Sequence, residues 1–134
     1  MFYQLPVYGT LRKLSMQMTS SSNRAKRSIK YGKLLEINNK IINIMELLSY
    51  VDNKTLELNI RINYLDKCLT FLTEIKLENR IIYDLGGFTK KGFSLIMKYE
   101  ESIYRQLSAW RNKLIKNNQT PNNISSEFLP IINI

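Results

Sequence analysis

The chain has 134 residues, 44% of them hydrophobic and 23% charged, with five Gly and three Pro, a balance that predicts one globular domain and excludes a collagen-like, disordered or multidomain chain. It has no His and a single Cys, Cys68, which excludes a disulfide framework, a His/Cys zinc site and catalysis through imidazole. The net charge of +9 is unevenly placed: +7 over residues 1–40, where Glu36 is the lone acid, −1 over 41–104 and +3 over 105–134. Such a bias predicts an acidic partner, nucleic acid before a membrane surface. Met1-Phe2-Tyr3-Gln4 has neither the basic region nor the apolar run of a signal peptide, and no apolar stretch can span a bilayer. With its unpaired Cys68, the chain is expected in the cytoplasm, off the membrane.

Apolar spacing is helical almost throughout and alternating runs are missing, so the fold class is all-α. A first helix starts near Pro6, carries Val7, Leu11, Leu14 and Met18 on one face, and ends in Ser20-Ser21-Ser22-Asn23. A second has its stripe at Leu34, Ile37, Ile41, Ile44, Met45, Leu48 and Val51, with Asp52-Asn53 as the next turn. A third runs from Leu58 through Ile62, Leu65, Leu69, Leu72, Ile75 and Ile82 to Gly86-Gly87, interrupted by Asn79. Thr89 caps a fourth, with Phe93, Ile96, Ile103, Leu107, Trp110 and Leu114 on one face and Glu100 intruding, fraying about Lys116. A third helix of roughly 30 residues, about 45 Å long, suits a bundle. The expectation is an antiparallel four-helix bundle over residues 1–116 and a polar, mobile tail over 117–134.

The basic residues fall into groups. Lys26, Lys30 and Lys33 continue the second helix's apolar angle backwards, and ammonium groups cannot enter a core unpaired. Either that helix begins near Lys33, with Gly32 as the break, or its first turns overhang the bundle. Arg24, Lys26, Arg27, Lys30 and Lys33 oppose the helix dipole, so an anion site is the reason we read for them, against a solvated basic loop. Lys91, Lys98 and Arg105 form a heptad-spaced ladder with Lys116 near the same angle, and Lys90 joins Lys91 in the first turn of the fourth helix. Arg12-Lys13 and Arg111 complete the candidate nucleic-acid-binding set. Glu74 with Glu78, and Glu100 with Glu101, read as surface carboxylates rather than a magnesium site. The eight tyrosines could stack the bases of a single strand, but Tyr64, Tyr83 and Tyr99 sit near helical core stripes and read as core, as does Cys68. No catalytic residue, cofactor or metal is expected.

Leu5-Pro6-Val7-Tyr8, Tyr83-Asp84-Leu85 and Arg105-Gln106-Leu107-Ser108-Ala109-Trp110 together resemble the four-helix bundle proteins that include the accessory variability determinant, Avd, of diversity-generating retroelements. The resemblance covers about residues 5–116. Ser108-Ala109 stands where the family usually has Gly-Gly, and Glu100 where it tends to be apolar. The resemblance implies a non-enzymatic, pentameric RNA-binding protein that assists a reverse transcriptase and its template RNA, with cDNA or RNA–DNA hybrid as further ligands, in mutagenic cDNA synthesis. The residues alone leave two alternatives open: a general structured-RNA-binding bundle, and a helical interaction module with an acidic protein partner.

Overall fold

The computed structural model describes residues 5–22 and 25–119. Four α-helices follow one another: α1 (Pro6–Ser21), α2 (Leu34–Val51), α3 (Leu58–Asp84) and α4 (Lys90–Gln119), with a π-helical turn over Ile29–Lys33 leading into α2. No strand occurs among the described residues. Each helix packs against its neighbours in sequence and α4 closes the ring against α1. Successive contacts run in opposite order along α2 and α3 (Lys40 with Glu78, Ile44 with Cys68), α3 and α4 (Asp66 with Arg111, Asn79 with Glu100) and α1 and α4 (Thr10 with Gln106, Ser21 beside Gly92). These pairs are therefore antiparallel, and α1, which meets α2 at Ser15 and Asn38, is antiparallel to it as well. The molecule is an up-down-up-down four-helix bundle.

The expected stripes form its core. Leu11, Leu14, Met18, Ile37, Ile44, Leu48, Leu65, Ile75, Ile96, Ile103 and Leu107 are fully buried. Cys68 lies among them with its Sγ directed at the Ile44 carbonyl at 3.8 Å, and burial pushes its thiol up to about 12. Tyr64, Tyr83 and Tyr99 pack half-buried against the core.

Helix ends follow local chemistry. α3 stops in a Schellman turn: Gly86 takes φ +80, its N–H donates to the Tyr83 carbonyl at 2.9 Å, and the Gly87 N–H donates to the Ile82 carbonyl at 2.8 Å. Thr89 caps α4, its Oγ1 accepting from the Gly92 N–H at 3.0 Å. At Gly92 a Cβ would stand 2.3 Å from Ser21 Oγ, so glycine is what lets the end of α1 touch the start of α4.

The structure selects the second of the two alternatives for the start of the second helix, and corrects the angle of its lysines and the place of Glu100. Gly32 is not a break, because residues 27–51 are helical and the Leu34 N–H reaches the Ile29 carbonyl, five residues back. That extra residue rotates the register, so half-buried Ile29, rather than a lysine, continues the apolar stripe. Helix α4 continues to Gln119, past the expected boundary at 116, while residues 120–134 of the proposed tail lie outside the described residues. Glu100 is not a surface carboxylate: it is 3% exposed and pairs with the fully buried Asn79.

Candidate nucleic-acid interface

In this topology α2 and α4 are parallel across the diagonal, since each is antiparallel to α3. Both therefore begin at the same end of the bundle, where α1 and α3 finish. Ile29 confirms the closeness, its Cγ2 lying 3.4 Å from where a Cβ on Gly87 would sit. Two basic segments some sixty residues apart in sequence, Lys26 to Lys33 and Lys90-Lys91, are thereby brought to one end.

Lys26, Arg27, Lys33, Lys90 and Lys91 are exposed there, and Lys30 is half-buried. Lys30 runs along a hollow also lined by Thr19, Ser22 and Leu34, and its ammonium reaches the Tyr31 ring, 5.9 Å from the centroid. Arg24 lies outside the described residues. The acids at this end are engaged: Glu36 pairs with Lys33 at 3.4 Å and Asp84 with Arg80 at 3.2 Å. No acid occupies the first turn of α4. The basic groups thus add to the positive end of the helix dipole rather than offsetting it, an arrangement that a bound anion relieves. Lys91 also lines a hollow with Gln17, Ser20, Ser21, Thr89 and Gly92, so hydroxyl donors stand beside the ammonium.

The other candidates are placed differently. Lys98 and Arg105 continue from Lys91 down the exposed face of α4, Arg105 being held at 3.4 Å by Glu101. Arg12 and Lys13 are exposed halfway along α1. Arg111 is tied across the bundle to Asp66, Nε donating to Oδ1 and Nη2 to Oδ2 at 3.3 Å. The hydrogen bond from Arg111 to Asp66 raises the guanidinium's pKa. Arg111 is thus a structural bridge between α3 and α4.

Two residues of the basic end stand outside the candidate nucleic-acid-binding set, Tyr31 being one of the eight tyrosines open to base stacking. Arg80 joins it because the last turns of α3 abut the start of α4, and its guanidinium lies 5.9 Å from both the Tyr83 and Phe93 ring centroids. Tyr31 is 64% exposed between Arg27 and Lys30; its signal was an aromatic residue flanked by cations.

At the far end the Leu5-Pro6-Val7 segment lies against Gln106, Ala109 and Trp110 around a cavity of about 310 Å³. There Arg61 serves the backbone, its Nε donating to the Val51 carbonyl at 2.6 Å. Among the described residues no cluster of three or more His, Cys, Asp or Glu is placed to hold a metal, and Glu74 and Glu78 both engage Lys40, at 3.3 and 2.6 Å. No described helix is long and apolar enough to cross a membrane. Neither the family models nor the curated proteins compared with the chain match it.

Proposed function

We propose that this chain is a non-enzymatic RNA-binding protein that acts as an accessory subunit of a retroelement reverse transcriptase. It holds template RNA, and the cDNA or RNA–DNA hybrid made on it, through phosphate contacts at the basic end. The observation that carries the RNA reading is the convergence of Lys26, Arg27 and Lys30 with Lys90 and Lys91 on one end whose acids Glu36 and Asp84 are already paired, by Lys33 and Arg80; Lys33, exposed, exchanges its carboxylate for a phosphate. Phosphate neutralisation by such groups draws its affinity mainly from counterion release and is indifferent to base sequence. The polymerase partner and the pentamer are proposed from the resemblance to the Avd-like bundles, and the cytoplasmic location from the unpaired Cys68 and the absence of a signal-like or membrane-spanning stretch in this sequence. Self-association draws support from Leu77 and Ile81, exposed one turn apart on α3, and from Leu85, exposed at its C-terminal cap.

The test is RNA affinity measured across a salt series. Changing Lys26, Lys30 and Lys33 to Ala lowers affinity for many RNA sequences alike and flattens the log–log slope by roughly 0.7–0.9 for each phosphate that is no longer neutralised. Alanine at Lys54 and Lys113, exposed toward the opposite end, leaves both unchanged. A triple variant with the wild-type affinity and slope would overturn the assignment of this end, and salt-insensitive or absent RNA binding would favour an acidic protein partner. A reverse transcriptase gene with a template repeat next to the gene for this chain, and co-purification of the two proteins, would test the partner. Light scattering tests the oligomer, since a mass near 15.8 kDa means a monomer.

A further inference from the structure

Within the basic end, Tyr31 is an exposed aromatic residue, 64% accessible, whose chemistry is not that of a phosphate contact. The π turn that brings Ile29 inward carries Tyr31 and Gly32 to the outside, both exposed. The Tyr31 ring stands between two hollows. One is open, about 620 Å³, and is formed by Arg27, Ser28, Tyr31 and Gly32. The other, about 250 Å³, lies over the junction with α1, where Thr19 and Asn38 supply a hydroxyl oxygen and an amide group, the Ser22 hydroxyl being buried on the Thr19 carbonyl. A Cβ on Gly32 would meet nothing within 4 Å. Packing therefore does not demand glycine here, and its absent side chain keeps the floor of the open hollow flat. Arg27 Cζ and Lys30 Nζ sit 5.8 and 5.9 Å from the ring centroid, at the outer limit of the ~6 Å range for a cation on an aromatic face.

We infer that Tyr31 is a stacking platform for an unpaired nucleobase, so that the basic end takes single-stranded RNA, with the base on the Tyr31 ring and its flanking phosphates on Arg27, Lys30 and Lys33. This rests on the RNA-binding reading and goes beyond it, since phosphate contacts alone do not separate a single strand from a duplex. A base in a duplex has both faces covered and cannot reach the ring, whereas a single strand offers a face at every nucleotide. Arg27 sits over one side of the ring and swings aside to a flanking phosphate as the base stacks. The Thr19 Oγ1 lone pairs and the Asn38 amide N–H groups line the second hollow for a base edge or ribose hydroxyl, Thr19 already donating its own proton to the Ser15 carbonyl and Asn38 Oδ1 already accepting from Ser15.

The experiment compares a labelled single-stranded oligoadenosine with an RNA duplex of equal phosphate number, using the wild type, Tyr31→Phe and Tyr31→Leu across a salt series. Leucine preserves apolar packing at the turn, and circular dichroism verifies the helical content of both variants. The expected result is a roughly ten-fold loss of single-strand affinity for Tyr31→Leu, near-wild-type binding for Tyr31→Phe, and unchanged duplex affinity and salt slope for both, because no charge is removed. Salt-steep binding that Tyr31→Leu leaves intact on the single strand, or weakens equally on strand and duplex, overturns the stacking and keeps the basic end. A wild type without salt-steep RNA binding overturns both.

Discussion

Asn79 Nδ2 donates to Glu100 Oε2 at 2.8 Å in the middle of the bundle, joining the two polar residues that interrupt the apolar stripes of α3 and α4. Asn79 also places Nδ2 3.6 Å from Met18 Sδ, while its Oδ1 is buried without a hydrogen-bond partner. Burial pushes the Glu100 carboxyl above the usual carboxylate range, with the Asn79 hydrogen bond and the charge of Lys76 pulling it partway back. Protonation suits this site twice over: it removes a buried charge, and it supplies an O–H for the unsatisfied amide oxygen.

The folded state therefore binds this proton more tightly than the unfolded chain does. Its stabilising contribution is complete below the ordinary glutamate range and is lost as pH rises through the raised folded value. Glu100→Gln carries an N–H donor without a charge and should be more stable than the wild type at pH 8, by about 0.5 kcal/mol or more, with the gap narrowing at pH 4. Urea denaturation at the two pH values checks this. A gap that widens on acidification contradicts the upward shift of the Glu100 carboxyl.

Core truncations should separate two leucines that share one sequence stripe. Leu65 is 0% exposed, so Leu65→Ala should cost about 2–5 kcal/mol. Leu69 is half-buried against the same core, so Leu69→Ala should cost less, about 1–2 kcal/mol. Chemical denaturation of both variants provides the comparison.

Gly92 should resist substitution although it lies in a helix, where alanine gains up to about 1 kcal/mol over glycine. A Cβ there would fall 2.6 Å from Ser21 Cβ and 2.8 Å from Thr89 Oγ1, so Gly92→Ala should destabilise by about 1–3 kcal/mol through the α1–α4 contact. Ser21→Gly in the same chain should recover part of that loss. Thermal unfolding of the single and double variants measures the coupling.

Arg111 should behave unlike the other basic candidates. Its side chain is 34% exposed and that of Asp66 46%, so a double-mutant cycle should give a coupling of about 0.5–1 kcal/mol, reduced by salt. Arg111→Ala should leave the salt slope of RNA binding unchanged. A slope lowered as by Lys33→Ala would place Arg111 among the phosphate contacts.

Cys68 should be inert to alkylation in the folded protein at pH 8, since burial leaves its thiol protonated with a pKa of about 12. It should react at the ordinary rate once the chain is unfolded in urea. Mass spectrometry of iodoacetamide-treated samples distinguishes the two states.

What the sequence determined by itself is local. The steps of three and four from Leu34 to Val51 and from Leu58 to Leu72 specify helices and their inward faces, because residues one turn apart share a face whatever the helix packs against. Gly86 and Thr89 end and begin helices through bonds to groups within four residues. Tertiary structure decided everything that depends on how two helices are rotated and set against each other. Glu100 and Asn79, 21 residues apart, are each a flaw in a stripe when their helices are read singly, and the pairing of α3 with α4 makes them partners. Arg111 is one more free cation in the sequence, and the same pairing sets it against Asp66, 45 residues away. The lysines before Leu34 continue a core stripe only on an unbroken 3.6-residue period, and the π turn at Ile29–Lys33 changes that period by one residue. The basic end itself is a consequence of topology: charges on α2 and α4 meet because alternate helices of an up-down bundle run parallel, a relation between elements that the spacing within either helix does not contain.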